Sequence, residues 1–259
     1  ALLDPDLLPG APLAVTAYGF VGEMCVLGNR PQEQWSTPGD RVVRKLFNTE
    51  SRWVLEPIED VLKLRSPFIV PNAGETPATV EMDDRMVELL AWAVAEGNFD
   101  TSESRTRVSL FQSTVNRAIA AHTTRKVVPP VVRTLSARQI RLFLETYAKG
   151  DGSTEPSGRI RLYTRDRENL DALQELCVLA GWGSTVYRRQ DSGVFVLNIV
   201  RNRETYIHSV TRRPYQGKVW CPTTRNGTFV ARRRGKTFVT GNTPFTNLTF
   251  DWVCPEDLR

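Results

Sequence analysis

Two short segments of the sequence share one pattern, and this pattern restricts the fold more than any other feature. Leu89–Gly97 reads LLAWAVAEG and Leu144–Gly152 reads LETYAKGDG. Each segment has an aromatic residue at its fourth position, small residues four positions apart, and an acidic residue followed by glycine at its end. Because residues four apart lie on one face of an α-helix, the pattern predicts two helices of the same design, each ending near its glycine.

The small residues predict that the two helices pack closely together. They are Ala91 and Ala95 in the first segment, and Thr146 and Gly150 in the second. Small side chains on one face allow two helix backbones to approach, since no bulky group holds them apart. We therefore expect the two segments to lie side by side in one core.

Side-by-side packing would bring Glu96 and Asp151 together at the C-terminal ends of the helices. A carboxylate at that end faces the negative pole of the helix dipole, which is unfavourable without a cation. Two carboxylates, with phosphate oxygens and water, form a ligand set that suits Mg²⁺, and a metal held in this way can promote phosphodiester hydrolysis. The alternative is that each acid–glycine pair only ends a helix, since Gly-Asp-Gly is common punctuation.

The remaining pattern predicts an α+β protein. Leu13–Val26 offers only short strand-like runs, Val42–Leu64 predicts a strand followed by a helix, and Ser66–Thr79, with three prolines, is typical of a linker. Ser136, with Gln139 three residues later, fits a capping box. Further helices are predicted at Asp83–Ala95 and Arg167–Ala180, strands at Arg107–Gln112 and Arg159–Thr164, and hairpins at Thr185–Arg189 with Val194–Val200 and at Thr228–Ala231 with Thr237–Thr240.

The charge favours a polyanionic partner. Lys and Arg number 34 against 29 acidic residues, which gives a net charge of +5 and a pI of about 9.2. This balance is compatible with DNA binding but does not by itself establish it. No apolar run approaches the roughly 20 residues of a membrane helix and no basic-then-apolar leader opens the chain, so we expect a cytoplasmic protein without a membrane partner. The four cysteines form no C-x-x-C pair, so neither a zinc site nor a disulfide framework is indicated.

The repeated segments resemble the paired LAGLIDADG motifs of homing endonucleases. The similarity is specific over Leu89–Phe99 and stronger over Val128–Tyr163. The resemblance implies a monomer built from αββαββα repeats that cuts double-stranded DNA with Mg²⁺, and it makes Glu96 and Asp151 the catalytic, metal-binding acids. Arg-rich strands would lie in the major groove, which accommodates a two-stranded ribbon. The candidate DNA-binding residues are Arg105, Arg107, Arg159, Arg161, Arg188 and Arg189.

The spacing of the two motifs departs from this family. Between Gly97 and Ser136 lie 38 residues, whereas 60 lie between Gly152 and Arg213. A full repeat needs two hairpins and a helix after its motif helix, and only the second interval has room for them. We therefore predict that the first repeat has lost a hairpin, which would weaken DNA binding or cutting.

A second resemblance lies near the C-terminus, where Lys218–Thr243 reads KVWCPTTRNGTFVARRRGKTFVTGNT. Its ending is similar to that of inteins: a short apolar strand at Phe238–Thr240, then Gly241-Asn242, then Thr243. The resemblance implies that Asn242 cyclises and breaks the bond to Thr243, whose hydroxyl accepts the acyl group. The alternative from the residues alone is an Arg-tipped β-hairpin at a sheet edge.

The start of the chain points to one class of intein. Most inteins begin with Cys or Ser, whereas this chain begins with Ala1. The class 3 inteins use a Trp-Cys-Thr set instead, and Trp35, Cys221 and Thr240 match that set. Cys221 would then be the first nucleophile, as a thiolate, and splicing would need no cofactor. The family's histidine before the tryptophan is absent, and Glu33 stands near its place.

The residues after Asn242 resemble a third family. TPFTNLTFDWVCPEDLR is similar to a segment of anaerobic ribonucleoside-triphosphate reductases. The resemblance implies that 243–259 is host (extein) sequence covalently attached to an insert that ends at Asn242.

We therefore predict an α+β chain in which a LAGLIDADG homing-endonuclease fold, with its first αββαββα repeat shortened, is joined to a β-rich Hint splicing domain. Residues 1–65 and 210–242 would form the Hint domain, and 75–209 the endonuclease. Two alternatives remain: a non-catalytic DNA-binding regulator with the LAGLIDADG fold, and a free-standing homing endonuclease.

Overall fold

A computed structural model describes residues 13–29, 32–46, 52–75, 78–97, 99–102, 105–108, 113–225 and 227–241. The helices are α1 (Ile58–Val61), α2 (Asp84–Glu96), α3 (Ser113–Ala120), α4 (Ala137–Gly150) and α5 (Arg167–Leu179), with a 3-10 turn at Pro130–Thr134. The strands are β1 (Ala14–Gly28), β2 (Glu33–Ser36), β3 (Arg41–Leu46), β4 (Arg52–Pro57), β5 (Phe68–Pro71), β6 (Phe99–Ser102), β7 (Arg105–Val108), β8 (Gly152–Thr154), β9 (Ile160–Thr164), β10 (Gly183–Arg188), β11 (Phe195–Val200), β12 (Glu204–Ile207), β13 (Val210–Thr223), β14 (Thr228–Arg233) and β15 (Lys236–Gly241). None of these helices is both long and apolar enough to cross a membrane.

The two motif helices are present and share one core. α2 begins after Asp83, whose carboxylate accepts a hydrogen bond from the Arg85 amide, as N-cap residues do. Leu90 and Val94 of α2 and Phe143 of α4 are fully buried in the same hydrophobic cluster. The predicted side-by-side packing of the helices is therefore confirmed.

Half of the predicted capping box forms at the start of α4. The Ser136 hydroxyl accepts a hydrogen bond from the Gln139 amide at 3.2 Å. The Gln139 side chain does not return to the cap: its Nε2 donates to Met82 O at 2.6 Å and to Asp84 Oδ1 at 3.0 Å. Gln139 thus joins the start of α4 to the start of α2, and the reciprocal half of the capping box was a wrong prediction.

The second motif helix opens a complete structural unit, α4-β8-β9-α5-β10-β11. Its strands belong to a six-stranded sheet of order β14-β15-β10-β11-β9-β8. Apolar side chains of β9 and β11, such as Ile160 and Leu197, are buried beneath α4 and α5. The predicted hairpin between β10 and β11 is confirmed, with Val186 opposite Leu197.

Fewer strands follow the first motif helix than follow the second. β6 and β7 form a two-stranded sheet of their own, and α3 comes next. Residues 113–150 are all described, and they contain α3, the 3-10 turn and α4 but no strand. The second hairpin of a full repeat is therefore missing before α4, as the short interval predicts.

The N-terminal and C-terminal segments pair along a long ribbon. β1 is a single strand of 15 residues, not the short runs expected of Leu13–Val26. It pairs antiparallel with β13 from Ala14 opposite Thr223 to Leu27 opposite Val210. Most of β1 is exposed, so it lacks the buried alternation that marks a strand in sequence.

The predicted linker contains a buried strand. Phe68–Pro71 forms β5, and all four of its residues are buried. β5 lies between β12 and β3 in a four-stranded sheet of order β12-β5-β3-β4. The strand-then-helix prediction for Val42–Leu64 was also incomplete, because that stretch holds two paired strands before the short α1.

Two elements link the segments that we assigned to separate domains. β12, placed in the endonuclease segment, pairs with β5 of the preceding segment. The predicted hairpin β14–β15 is confirmed and joins the edge of the six-stranded sheet, with Lys236 opposite Thr185. The terminal hairpin is thus continuous with the sheet of the second repeat.

Candidate nucleic-acid interface and acid pair

The crossing of α2 and α4 brings the two predicted acids to one place. A β-carbon at Gly150 would lie 2.9 Å from Ala95 Cβ and 3.0 Å from Glu96 Oε1. The Glu96 carboxylate therefore lies against the last residue of α4, and Asp151 follows directly. Only a glycine at this position permits so close an approach.

A lysine that sequence reasoning missed lies beside Asp151. Lys126 Nζ is 3.2 Å from Asp151 Oδ2, and both side chains remain partly exposed. This ammonium supplies the cation that a carboxylate at a helix C-terminus requires. No spacing rule relates Lys126 to Asp151, because their proximity depends on the packing of the 3-10 turn and α4.

The backbone at Asp151 is held by the strand that follows. The Tyr163 amide donates to Asp151 O at 2.8 Å, and the Asp151 amide donates to Tyr147 O at 3.1 Å. A β-carbon at Gly152 would lie 2.6 Å from Ala148 Cα and 2.6 Å from Arg161 O. The glycine after the acid is therefore required by the contact between α4 and β9.

Tyr147 supports this turn from the core. Its hydroxyl donates to Tyr163 O at 3.1 Å and accepts from Asn169 Nδ2 at 3.2 Å. The other end of that side chain, Asn169 Oδ1, accepts from the Val128 amide at 3.1 Å. Burial, together with the nearby charge of Asp151, raises the pKa of Tyr147 well above its ordinary value. Tyr147 thus supports the turn through hydrogen bonds made from the core.

The acid pair offers two oxygen ligands to a metal. Among the described residues, no cluster of three or more His, Cys, Asp or Glu side chains is placed to hold a metal ion. Glu96 is exposed and Asp151 half-buried at the end of the helix pair. Exposed carboxylates are the donors that Mg²⁺ takes when water and substrate phosphate complete its shell, so the pair fits a metal shared with DNA.

One face of the six-stranded sheet turns away from the helices and carries a polar row. Arg161 Nε donates to Asn198 Oδ1 at 3.2 Å, and Asn198 Nδ2 donates to Thr185 Oγ1 at 3.4 Å. Arg161 also forms an ion pair with Glu155 at 2.7 Å. The row lies on β9, β11 and β10 in turn, and it lines a cavity of about 610 Å³ together with Arg159.

The other predicted DNA-binding arginines are divided between locations. Arg189 stacks over the Tyr163 ring, 5.4 Å from its centroid. Arg188 lies 5.3 Å from the centroid of Phe195, a ring that packs against the core and is also covered by Arg167 of α5. Arg188 is therefore on the helix side of the sheet. Arg105 and Arg107 lie on β7, outside the residues with described side chains.

Thr240, one of the predicted splicing residues, contacts the segment 37–41. Gln34 Nε2 donates to Thr240 Oγ1 at 2.7 Å, and Thr240 Oγ1 donates to Arg41 O at 3.3 Å. Cys221 is buried and lies opposite Thr16 on β1. Asn242 and Thr243 lie outside the described residues.

Tyr18 lies close to Cys221 and is also influenced by Asp40, and sequence reasoning missed both. The register places Tyr18 two residues beyond Thr16, hence on the same face of the ribbon as Cys221. Burial, the carboxylate of Asp40 and the Cys221 thiol raise the pKa of Tyr18. Asp40 precedes Arg41, so the segment that accepts the Thr240 hydrogen bond also carries the carboxylate that acts on Tyr18.

Trp35 lies elsewhere. Trp35 pairs with Val26 of β1, whereas Cys221 pairs with Thr16, so their pairing positions are ten residues apart along β1. Its ring is 4.3 Å from the Arg233 guanidinium and 6.3 Å from the Tyr215 ring. These contacts place Trp35 against the terminal hairpin, and none of them is to Cys221.

Comparison with known families accounts for the second structural unit. Residues 138–207 match the family model described as LAGLIDADG-like domain. The chain contains a LAGLIDADG-like domain. The domain begins in α4 and ends with β12, so it includes Asp151 and Arg161 but not Glu96. No curated protein matches the chain.

Proposed function

We propose that the chain is an intein whose LAGLIDADG endonuclease cuts double-stranded DNA in a metal-dependent reaction. The observation that carries the nuclease part is the approach of Glu96 to Gly150, the residue that precedes Asp151, at the helix crossing. In this arrangement the two acids lie at the ends of α2 and α4, the helices through which the two repeats pack against each other.

The polar face of the six-stranded sheet is the surface on which DNA would lie. Arg161 and Arg189 lie on this face, where their side chains can reach phosphates and base edges. Duplex DNA carries a dense line of negative charge, so each phosphate contact releases counterions. The turns after α2 and α4 would then face the sugar-phosphate backbone.

Glu96 and Asp151 would hold Mg²⁺ between the protein and the scissile phosphate. Bound there, Mg²⁺ would lower the pKa of a water molecule and offset negative charge on the leaving oxygen. Lys126, 3.2 Å from Asp151, would orient Asp151 before DNA binds and contact a phosphate oxygen afterwards.

The splicing part of the proposal rests on the buried Cys221 and on Thr240. The Cys221 sulfur would attack the carbonyl at the upstream junction, forming a thioester and releasing an amine. Asn242 would attack its own carbonyl through its side-chain nitrogen, forming a succinimide and releasing the amine of Thr243. Thr240, held by Gln34 and Arg41 O, would position that last strand. The host would be a ribonucleoside-triphosphate reductase.

A non-catalytic DNA-binding regulator is the second candidate. The shortened first repeat favours it, because half of the DNA-binding saddle lacks a hairpin. The Lys126–Asp151 ion pair also favours it, since it satisfies Asp151 without a metal.

Two experiments test the proposal. Binding to long duplex DNA should weaken steeply as salt rises from about 50 to 200 mM; affinity independent of salt would contradict it. For splicing, the protein should be prepared with a host segment upstream of Ala1 and the products weighed by mass spectrometry. We expect Cys221→Ala to block cleavage at the upstream junction and Asn242→Ala to block release of residues 243–259. Cleavage unchanged in both variants would contradict the intein assignment.

A further inference from the structure

The terminal hairpin and the β1–β2–β13 sheet line a second, open basic cavity of about 560 Å³. Arg213, Arg234 and Lys236 line it, and Glu33 is the one acid among the lining residues. Lys236 Nζ donates to Asn29 O at 3.1 Å, which holds the ammonium at the wall of the cavity. The cavity therefore has an excess of positive charge.

Buried polar groups without partners also line this cavity. Gln32 is fully buried, and neither its Nε2 nor its Oε1 has a hydrogen-bond partner among the described residues. The same holds for Trp35 Nε1, which lines the cavity as well. Buried donors are nearly always hydrogen-bonded in folded proteins. Two unsatisfied N–H groups beside three cations indicate that the cavity receives an anion that accepts hydrogen bonds.

Arg234, at the tip of the terminal hairpin beside this cavity, has an unfavourable backbone conformation. Arg234 adopts a φ of 48°, in the left-handed region that side chains with a β-carbon disfavour. A two-residue turn with positive φ at both positions is normally made by Asn or Gly, and Gly235 fills the second position with a φ of 76°. The arginine guanidinium lies 3.5 Å from Glu33 Oε1, at the cavity. Local strain retained at a surface turn is typical of a functional position.

The cavity lies on the DNA-facing side of the six-stranded sheet. Lys236 pairs with Thr185, the last member of the polar row that begins at Arg161. Thr237, the next residue, is on the opposite side, because its partner Arg232 contacts Asp171 and Gln174 of α5. The polar row and the basic cavity are therefore on one continuous face.

We propose that this cavity binds a backbone phosphate of duplex DNA, so that the DNA-binding surface extends beyond the LAGLIDADG-like domain onto the terminal hairpin. The inference rests on the proposed DNA-binding function. Arg213, Arg234 and Lys236 would neutralise the charge of the phosphate, and the unpaired donors Gln32 Nε2 and Trp35 Nε1 belong to residues that line the same cavity. This contact would compensate for the hairpin that the first repeat lacks.

The test measures duplex DNA binding at several salt concentrations. It compares two variants of the cavity, called the pocket variants, with Arg161→Gln on the polar row and with a control. Arg213→Gln removes one cation, and Arg234→Gly removes another while relieving the strained φ, so the second variant should be at least as stable as the wild type. We expect each to reduce the slope of log affinity against log salt by about 1. Arg65→Gln, at an exposed residue that lines neither cavity, should leave the slope unchanged.

The outcomes separate the two proposals. A lower slope in the pocket variants, with Arg65→Gln unchanged, supports the inference. If Arg161→Gln lowers the slope while both pocket variants match the wild type, DNA binding stands and the inference is overturned. If the wild type does not bind duplex DNA, the proposed function itself fails. A further outcome is that inorganic phosphate raises the melting temperature of the wild type but not of Arg234→Gly, while both proteins bind DNA equally. This outcome would assign the cavity to free phosphate and overturn the DNA assignment.

Discussion

The two repeats have equivalent motif helices but very different surroundings. α4 is followed by four strands and a helix, whereas α2 is followed by a two-stranded sheet and the eight-residue α3. α2 is nevertheless as deeply buried as α4, with Leu90 and Leu144 both fully inaccessible in one cluster. Packing against α4 preserves the first helix, while the strands that follow it are free to shorten. The helix pair is thus a requirement of the core, and in the proposed function the strands serve DNA binding.

Shortening one buried leucine in either motif helix should have the largest effect, and the effect should be equal because both helices belong to one core. We expect Leu90→Ala in the first repeat and Leu144→Ala in the second to lower the free energy of unfolding by similar amounts, about 2–5 kcal/mol each, because both leave a cavity in one core. Chemical denaturation would measure the loss, with the exposed Leu64→Ala as control. A cost for Leu90→Ala no larger than that of the control would show that the first repeat is not part of the core.

The glycine after the second acid should be the next most sensitive position. Gly152→Ala would place a β-carbon 2.6 Å from backbone atoms of Ala148 and Arg161, and we expect a loss of about 1–3 kcal/mol from overpacking. Gly28→Ala is the matched control, since a β-carbon there meets nothing within 4 Å. Equal melting temperatures for the two variants would contradict the close contact between α4 and β9.

The two faces of the second repeat can be separated by one arginine from each. Arg161→Gln, on the polar face, should reduce the salt dependence of duplex DNA binding by about one phosphate contact. Arg188→Gln, on the helix side over Phe195, should leave it unchanged. Binding assays at several salt concentrations would measure the slope of log affinity against log salt for both variants. A larger effect of Arg188→Gln would show that DNA lies on the helix side of the sheet and not on the polar face.

The smallest effect concerns the ion pair that joins the starts of the two motif helices. Hydrogen bonds from Arg138 and Gln139 lower the pKa of Asp84 to about 2. A lowered folded-state pKa contributes stability that is present above the unfolded value of about 3.9 and is lost as pH falls through about 2. In Arg138→Gln the Asp84 pKa should rise towards its ordinary value, and part of the acid sensitivity below pH 4 should disappear. An NMR titration of the Asp84 carboxyl that shows the same midpoint in both proteins would refute this.

Local signals in the sequence were sufficient for the helices and hairpins of the second repeat. The Ser136 cap of α4 and the hairpin of β10 and β11 each depend on neighbouring residues, so short windows reveal them. β1 was missed because its stability comes from pairing with β13, nearly 200 residues away, and not from a buried face. Lys126 was missed for the same reason: its partner Asp151 is set by tertiary packing.

The candidate site shows the same division. The position of Glu96 and Asp151 at the helix ends could be predicted because each ends a recognisable helix pattern, and their role as metal ligands stays a prediction. The separation of Trp35 from the Cys221 position could not, since it follows from the register of two long strands. The orientation of Arg188 away from the polar face likewise depends on the strand's position over α5.

The central claim is that the paired helix ends form a metal-dependent phosphodiesterase site, and a nicking assay on supercoiled plasmid tests it most directly. We expect nicking by the wild type with Mg²⁺ and none with EDTA. Asp151→Asn and Glu96→Gln, which retain shape but remove charge, should lose nicking at least 100-fold while duplex binding persists, on the order of what a metal-held nucleophile contributes. Full Mg²⁺-dependent nicking by both variants would contradict the account and place the chemistry elsewhere, and DNA binding without nicking by the wild type would assign the chain to the non-catalytic regulators.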